Sequence, residues 1–461
     1  MRSNHRSFNL LIWLPTLWLM AGGCHAPMPQ PPNYADALPA DVTDQIAVRV
    51  EEHAPEPIDA PDDAPPAETF TLGQAIRRAV LHDPRLQAAL AHVRSAQADA
   101  LQARLLTNPI LTVSVRMREA ASASPIIDAA IAQDIVSLLT QPRKVSAADN
   151  RLRGAMADVL ATLADVIADT QEAYVTLQAL TDQLAALEER HALAKRLVDL
   201  GEARLKAGEA ARLDVIALQT QLLTLNVDLA ERRQDMTDAR LTLARLIGEP
   251  SKSGDWRLSA WQSLEPTRAT EQAWLVHALT NRPEVRTKTW ELAALGDEVA
   301  LSRLALLEGT EVGAQSEYDQ GWSVGPELAV PLPLFDWGQA KRAKASAELD
   351  AARHQMTLLQ RQVVQDVRTQ YSAYNATLRT LTMARDELLP LQERRAGQAE
   401  TSYKAGETDV ANLLLAEEDL LDARVKVVDL RKKAALARVK LARAAGGVGV
   451  MTRVEQEANK P

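Results

Sequence analysis

Hydrophobic positions along this chain fall into two rhythms, one helical and one extended, and each rhythm occurs twice. From Leu413, taking alternately the third and fourth residue gives Leu413, Ala416, Leu420, Ala423, Val427, Leu430, Ala434, Ala437 and Leu441, all apolar. A strict 3-4 stripe of this kind predicts a helix packed along a narrow coiled-coil seam, with small residues that allow close approach. Leu218, Leu222, Leu225, Leu229, Met236, Ala239, Leu243 and Leu246 obey the same rule, with Arg232 the one interruption. Ahead of each seam runs a longer helical pattern, from Arg143 to Ala207 and from Gln339 to Ala405. As helix, each would be a rod of roughly 100 Å. Gly201 and Pro390 are the places where these rods are expected to bend.

Short stretches before the rods switch to period two. Leu111, Val113, Val115 and Met117 alternate with Thr112, Ser114 and Arg116, and Val312, Ala314 and Tyr318 alternate with Glu311, Gln315 and Glu317. Partner strands are expected at Ile126–Ile135 and Trp322–Val330, after the polar turns EAASAS and DQG. Hairpins with one apolar and one polar face have the length and alternation of membrane strands, although a half-buried soluble strand alternates in the same way. Four strands cannot close a barrel, and lipid does not tolerate an open sheet edge. If the strands are membranous, several chains must share one barrel.

The same landmarks recur at a fixed distance. Lys-Ala-Gly-Glu begins at Lys206 and again at Lys404, 198 positions on. Within one residue of that spacing, Pro84 pairs with Pro283 at 199, DTQEAY (169–174) with DVRTQY (366–371) at 197, and Arg143-Lys144 with Lys341-Arg342 at 198. The spacing is far longer than a solenoid repeat and describes a duplicated unit. The repeats run over 69–249 and 270–447, joined by a linker at 250–269 and followed by a tail, 448–461. Gly208 and Gly406 are expected to end each rod in the left-handed conformation, so that each KAGE is the bend of a helical hairpin.

Two segments ahead of the repeats do not read as fold. Residues 1–24 carry Arg2 and Arg6, an apolar run and then AGGC, the pattern of an export signal. Cys24 is the only cysteine, so no disulfide can form within the chain. Its place after small residues resembles a bacterial lipobox, with Ala21 where Leu is usual, and makes its thiol the expected point of lipid attachment. Residues 25–68 are rich in Pro and acidic groups and are expected to form an extended tether. The net charge is −9, with no basic block suited to nucleic acid, and aromatics are only 4% of residues, which favours long seams over a large globular core. The eight His include no pair at helical metal-ligand spacing, and GGVGV (446–450) lacks the Lys-Ser/Thr of a phosphate loop. No enzymatic signature stands out and no cofactor is implied beyond the lipid on Cys24.

A helix beginning at DPRL or RPEV, a β-hairpin, PLPLFDWGQ (331–339), a long rod, YKAGE (403–407) and a descending coiled coil, in duplicate, resemble the TolC outer-membrane efflux family over residues 69–447. The first-half segment IVSLLTQPRK departs from that family's Gly-containing turn. The resemblance implies a mainly α fold with a small β part. It implies a homotrimer in which a shared twelve-stranded barrel sits in the outer membrane and continues as an α-helical tunnel into the periplasm. The implied partners are outer-membrane lipid, a periplasmic adaptor (membrane fusion protein) and an inner-membrane pump. His25 after the Cys, rather than Asp, implies retention in the outer membrane. The implied function is the exit duct of a tripartite efflux or secretion system. The alternative is a periplasmic coiled-coil adaptor or structural lipoprotein, which should carry all-β segments around a single hairpin. Resemblance also implies that the KAGE hairpins form the periplasmic tip and that Tyr403 and Asp214 take part in its gate; Asn412 is the second-half match to Asp214, and Thr408 stands where relatives can carry a basic partner. On the strands, Thr112, Ser114, Arg116, Glu311, Gln315 and Glu317, together with Asp128 and Asp134, are the expected pore-lining residues.

Overall fold

The computed structural model describes residues 69–117, 125–251, 256–318 and 321–447. The signal, Cys24, the tether and the 448–461 tail lie outside these residues. The described chain is mainly helical, in two like halves. The first half comprises β1 (Thr69–Phe70), α1 (Leu72–His82), α2 (Pro84–Arg104), β2 (Ile110–Arg116), β3 (Ile126–Asp134), α3 (Ile135–Lys206) and α4 (Arg212–Leu246). After β4 (Arg257–Leu258) in the linker come α5 (Glu271–Asn281), α6 (Pro283–Ser302), β5 (Glu311–Tyr318), β6 (Trp322–Ala329), α7 (Gln339–Met383), α8 (Leu389–Lys404) and α9 (Val410–Ala444).

Local sequence sets the ends of these elements in matching ways. Thr71 and Thr270 each cap a helix by accepting a hydrogen bond at their hydroxyl, from the N–H of Gln74 and of Ala273 respectively. Pro84 and Pro283 each open the next helix, where a missing N–H costs nothing. Asp83 caps α2 and binds Arg85, which reaches Asp169 at 2.8 Å. In the second half Arg282 occupies the position before Pro and reaches Asp366 at 3.2 Å, so the charges flanking the proline are exchanged while the acid on the rod is kept. The Tyr174 hydroxyl donates to the carbonyl of Phe70 at 2.7 Å, and the Tyr371 hydroxyl donates to that of Ala269 at 3.4 Å. The sequence landmarks thus coincide with equivalent bonds. Glu284 lies where the halves meet. Burial pushes its carboxyl up, but Arg443 and Arg282 outweigh that and hold it below the ordinary carboxylate range.

The first rod is longer, and the second less uniform, than the sequence pattern indicates. α3 starts at Ile135 rather than Arg143 and runs through Pro142 for 72 residues, or roughly 110 Å. A proline in a helix interior costs about 3 kcal/mol. Here the Asp134 carboxylate accepts from the N–H groups of both Val136 and Ser137, which fixes the helix start upstream of the proline. IVSLLTQPRK is therefore helix, not the counterpart of an extended PLPLFDWGQ. Gly201 lies inside the continuous helix α3. The rod does not break there; instead Leu218 comes so close that a Cβ on Gly201 would lie 2.9 Å from its Cδ1. Gly201 is a close-approach position. In the second half the departure from α geometry is a π turn at Ala384–Leu388, immediately before Pro390.

The predicted seams are packed. Leu413, Ala416, Ala423, Ala434, Ala437 and Leu441 of α9 are buried, as are Leu218, Leu225, Leu229, Leu243 and Leu246 of α4. A second stripe on α4, comprising Leu213, Ile216, Leu223 and Val227, remains exposed. At the other end β2, β3, β5 and β6 form one antiparallel sheet in that order, leaving β2 and β6 with free edges. Among the described residues no helix is long and apolar enough to cross a membrane.

Candidate functional site: the hairpin tip and the sheet faces

Both KAGE segments close with the same hydrogen bonds. The Glu209 N–H donates to the Arg204 carbonyl at 2.8 Å and the Gly208 N–H to Leu205 at 3.1 Å; the Glu407 N–H donates to Ser402 at 2.9 Å and the Gly406 N–H to Tyr403 at 3.0 Å. These are the two bonds of a Schellman motif, which needs a left-handed residue between them. Gly208 and Gly406 supply it, with φ of 77° and 79°. No atom lies within 4 Å of a Cβ built on Gly208, so backbone conformation alone demands glycine there.

The remaining tip residues have clear local partners. Asp214 stands in the first turn of α4 and accepts from the Ala211 N–H at 3.3 Å, which makes it a helix cap in the single chain. Asn412 plays no equivalent part. Its N–H donates to the Asp409 carboxylate, the cap of α9, and its amide to the Thr408 hydroxyl at 3.3 Å. Tyr403 is buried in an apolar cluster with Leu197, Val198, Leu218, Val410 and Leu413, and no bond joins it to Asp214. Among the described residues its hydroxyl has no hydrogen-bond partner.

The pattern of the sequence does not disclose Arg204. Its guanidinium donates to the Tyr403 carbonyl at 3.2 Å and lies over the Tyr403 ring at 5.3 Å, clasping the second hairpin to the first. Ser402 occupies the matching place in the second repeat, so a comparison of the halves could have flagged this position as asymmetric. Further up, a polar groove of about 470 Å³ between α3, α8 and α9 holds Glu189, Arg190, Glu400, Glu417 and Arg424. Burial pushes the Glu417 carboxyl up, aided by Glu400, and burial also lowers Arg190.

The strand register sorts the sheet residues by face. Ser114 lies opposite Asp128, Asp128 opposite Glu317 and Glu317 opposite Ser323; Thr112, Ala130, Gln315 and Gly325 form the next row. Alternation puts Arg116, Glu311 and Asp134 on that same polar face. Glu327, absent from the expected set, joins them opposite Gly313. Arg116 on β2 donates to Asp128 on β3 at 3.0 Å and to Glu317 on β5 at 3.5 Å, so its charge is neutralised across three strands. Asp134 serves mainly as the cap of α3. The opposite face is apolar and exposed: Leu111, Val113, Val115, Ile131, Trp322, Val324 and Leu328 each show half or more of their surface. Tyr318 and Trp322 pack together at the hairpin end.

A duplicated subunit that joins rods of about 100 Å to an open-edged, two-faced sheet defines a channel-forming chain. Residues 75–249 and 274–447 match the family model described as Outer membrane efflux protein, so the chain belongs to the outer membrane efflux protein family. It is a transport channel protein of the outer membrane and not an enzyme. The sequence finds no match among curated proteins. Solved structures of similar fold include the outer-membrane channel OprN, 20% identical, covering 82% of this chain and 90% of that one with a TM-score of 0.68. The outer membrane protein VceC of Vibrio cholerae is 19% identical, with 82% and 96% covered and a TM-score of 0.68. The CmeC outer membrane channel of Campylobacter jejuni is 17% identical, with 84% and 89% covered and a TM-score of 0.69. At these identities the likeness concerns the fold alone.

Proposed function

We propose that three copies of this chain form the outer-membrane exit duct of a tripartite efflux or secretion system, receiving cargo from an inner-membrane pump through a periplasmic adaptor. The observation that carries this reading is the four-stranded sheet, with two free edges, an exposed apolar face and a polar face. Edge pairing between copies would satisfy every strand, and three copies would give twelve strands, enough to enclose a water-filled lumen. The rods favour the same ring. Within one chain α3 of the first half packs on α9 of the second, while α4 keeps an exposed stripe. Repeating that contact around a ring sets the α4 stripe of one copy against α7 and α8 of the next.

In this assembly the KAGE hairpins form the periplasmic tip, and the unpartnered Tyr403 hydroxyl is available to a neighbouring copy. The polar strand face lines the pore. Acylated Cys24 adds a lipid anchor in the outer membrane. The cargo is whatever the pump selects. The test is the molar mass of the detergent-solubilised particle by light scattering, together with its migration in SDS before and after heating. A trimer that heat dissociates supports the duct; a heat-insensitive monomer refutes it and favours a periplasmic coiled-coil or structural lipoprotein.

A further inference from the structure

The apolar face of β6 does not stop at the end of the strand. Its period-two series Trp322, Val324, Pro326 and Leu328 continues through Val330, Leu332 and Leu334 into the segment that leads to α7. Leu332, Leu334, Phe335 and Trp337 are 76%, 69%, 92% and 62% exposed. Four large apolar side chains this bare on one nine-residue segment would be a liability in water. The first half carries an apolar patch at the matching level, with Leu105, Leu106 and Leu139 exposed. Gln141 fixes that level by donating to the Arg104 carbonyl at 2.7 Å.

Just beyond this collar each rod carries a basic pair, Arg143-Lys144 in the third turn of α3 and Lys341-Arg342 in the first turn of α7. Arg342 donates to the Trp337 carbonyl at 2.8 Å and so holds the loop that carries the indole. Arg143 pairs with Asp297 and Lys341 with Glu308, yet Arg143 keeps 64% and Lys341 55% of its side-chain surface open. Lys144 is exposed and has no ion pair among the described residues. Aromatic and leucine side chains followed, one or two helical turns on, by snorkelling cations are the order in which a chain leaves a bilayer.

We propose that this strand–helix junction is a seat for the periplasm-facing leaflet of the outer membrane: Phe335 and Trp337 lie at the boundary of acyl chain and headgroup, and the basic pairs bind phospholipid phosphates. The proposal rests on the membranous reading of the sheet. It makes the junction, rather than the strands alone, the element that fixes how deep the barrel sits. Continuity with the apolar strand face and the charge beneath it favour lipid over a second copy of the chain as the occupant.

The experiment places a nitroxide on Phe335→Cys and, separately, on Val324→Cys, each read as a difference from the parent chain. The assembled protein is reconstituted in vesicles of three parts phosphatidylethanolamine to one of phosphatidylglycerol, and access of oxygen and of a water-soluble nickel chelate is measured. The expected result is oxygen access with shielding from nickel at both sites, shallower at 335 than at 324. Nickel access at 335 with 324 in lipid overturns the seat and leaves the barrel standing. Shielding of 335 from both reagents overturns it in favour of a neighbouring copy. Nickel access at 324 refutes the membranous sheet itself. For the headgroup contacts, the triple variant Arg143→Gln, Lys144→Gln, Lys341→Gln should retain at least threefold less phosphatidylglycerol through purification by mass spectrometry, with phosphatidylethanolamine unchanged. Equal retention removes the basic pairs from the seat.

Discussion

Arg204 gives the sharpest test of the tip. Replacing it with Gln removes a hydrogen bond to the Tyr403 carbonyl at 3.2 Å and a cation held 5.3 Å over the Tyr403 ring. The hydrogen bond is part-buried and charge-assisted, worth about 1 kcal/mol net once solvent screening is allowed for, and the ring contact adds about 0.5 kcal/mol. A loss of about 1–2 kcal/mol per chain, applied three times in a trimer whose hairpins part together, amounts to about 3–6 kcal/mol on the closed state. At 1.4 kcal/mol for each factor of ten, the closed-to-open ratio should fall by roughly 10² to 10⁴. Single-channel recording of the purified assembly in planar bilayers reads this directly, as longer open dwell times or a larger mean conductance. Arg204→Lys, which keeps the charge but loses the planar stack, should recover only part of the effect. Unchanged conductance with an intact trimer would show that opening leaves the Arg204 clasp in place, and would remove it from the gate.

Four further outcomes are expected. Gly208→Ala and Gly406→Ala should each destabilise the hairpin by about 1–2 kcal/mol, because only glycine adopts the left-handed turn freely, whereas proline at either site should abolish adaptor capture in a pull-down. Glu417→Gln should raise the melting temperature at neutral pH: a raised carboxyl pKa means the wild-type group costs stability when charged and regains it as pH falls, so the difference should vanish on acidification through that pKa. Cys24→Ser should remove a covalent lipid seen by mass spectrometry in the wild type and only partly reduce efflux; a wild-type protein without lipid contradicts the anchor. In a salt gradient the reconstituted pore should prefer cations weakly, because Glu311 and Glu327 remain after Arg116 is neutralised by Asp128 and Glu317, and screening acts within about 10 Å at 0.1 M. Anion preference would overturn the assignment of the faces.

Much of this architecture can be read from period alone. The nine apolar positions from Leu413 to Leu441 form a contact seam whatever the tertiary detail, and strand alternation assigns Ser114, Asp128 and Glu317 to one face before any register is known. Glycine in KAGE is legible because left-handed backbone has few other occupants. What period cannot convey is competition between local signals. The helical pattern is legible from Arg143, yet the double cap by Asp134 sets the start of α3 eight residues earlier, upstream of Pro142. Gly201 reads as a bend point, and period alone does not show that it is where Leu218 touches the rod. Arg204 escapes notice because a clasp depends on what the other hairpin brings near and leaves no trace in spacing, whereas the Asp409 cap is local, three residues ahead of the Asn412 N–H, and is a signal of residue type rather than of period. Asp214, expected at the gate, is found capping its own helix, a role that does not prevent a second one toward a neighbouring copy.

Imaging the full-length protein in lipid nanodiscs by single-particle electron microscopy tests the central claim most directly. The account requires a threefold particle in which β2 of each copy pairs with β6 of the next, closing one barrel of twelve strands within the bilayer, with the KAGE hairpins about 100 Å away at the far end of a helical tunnel. A particle of one chain, or an assembly whose sheets stay open outside the bilayer, would contradict it.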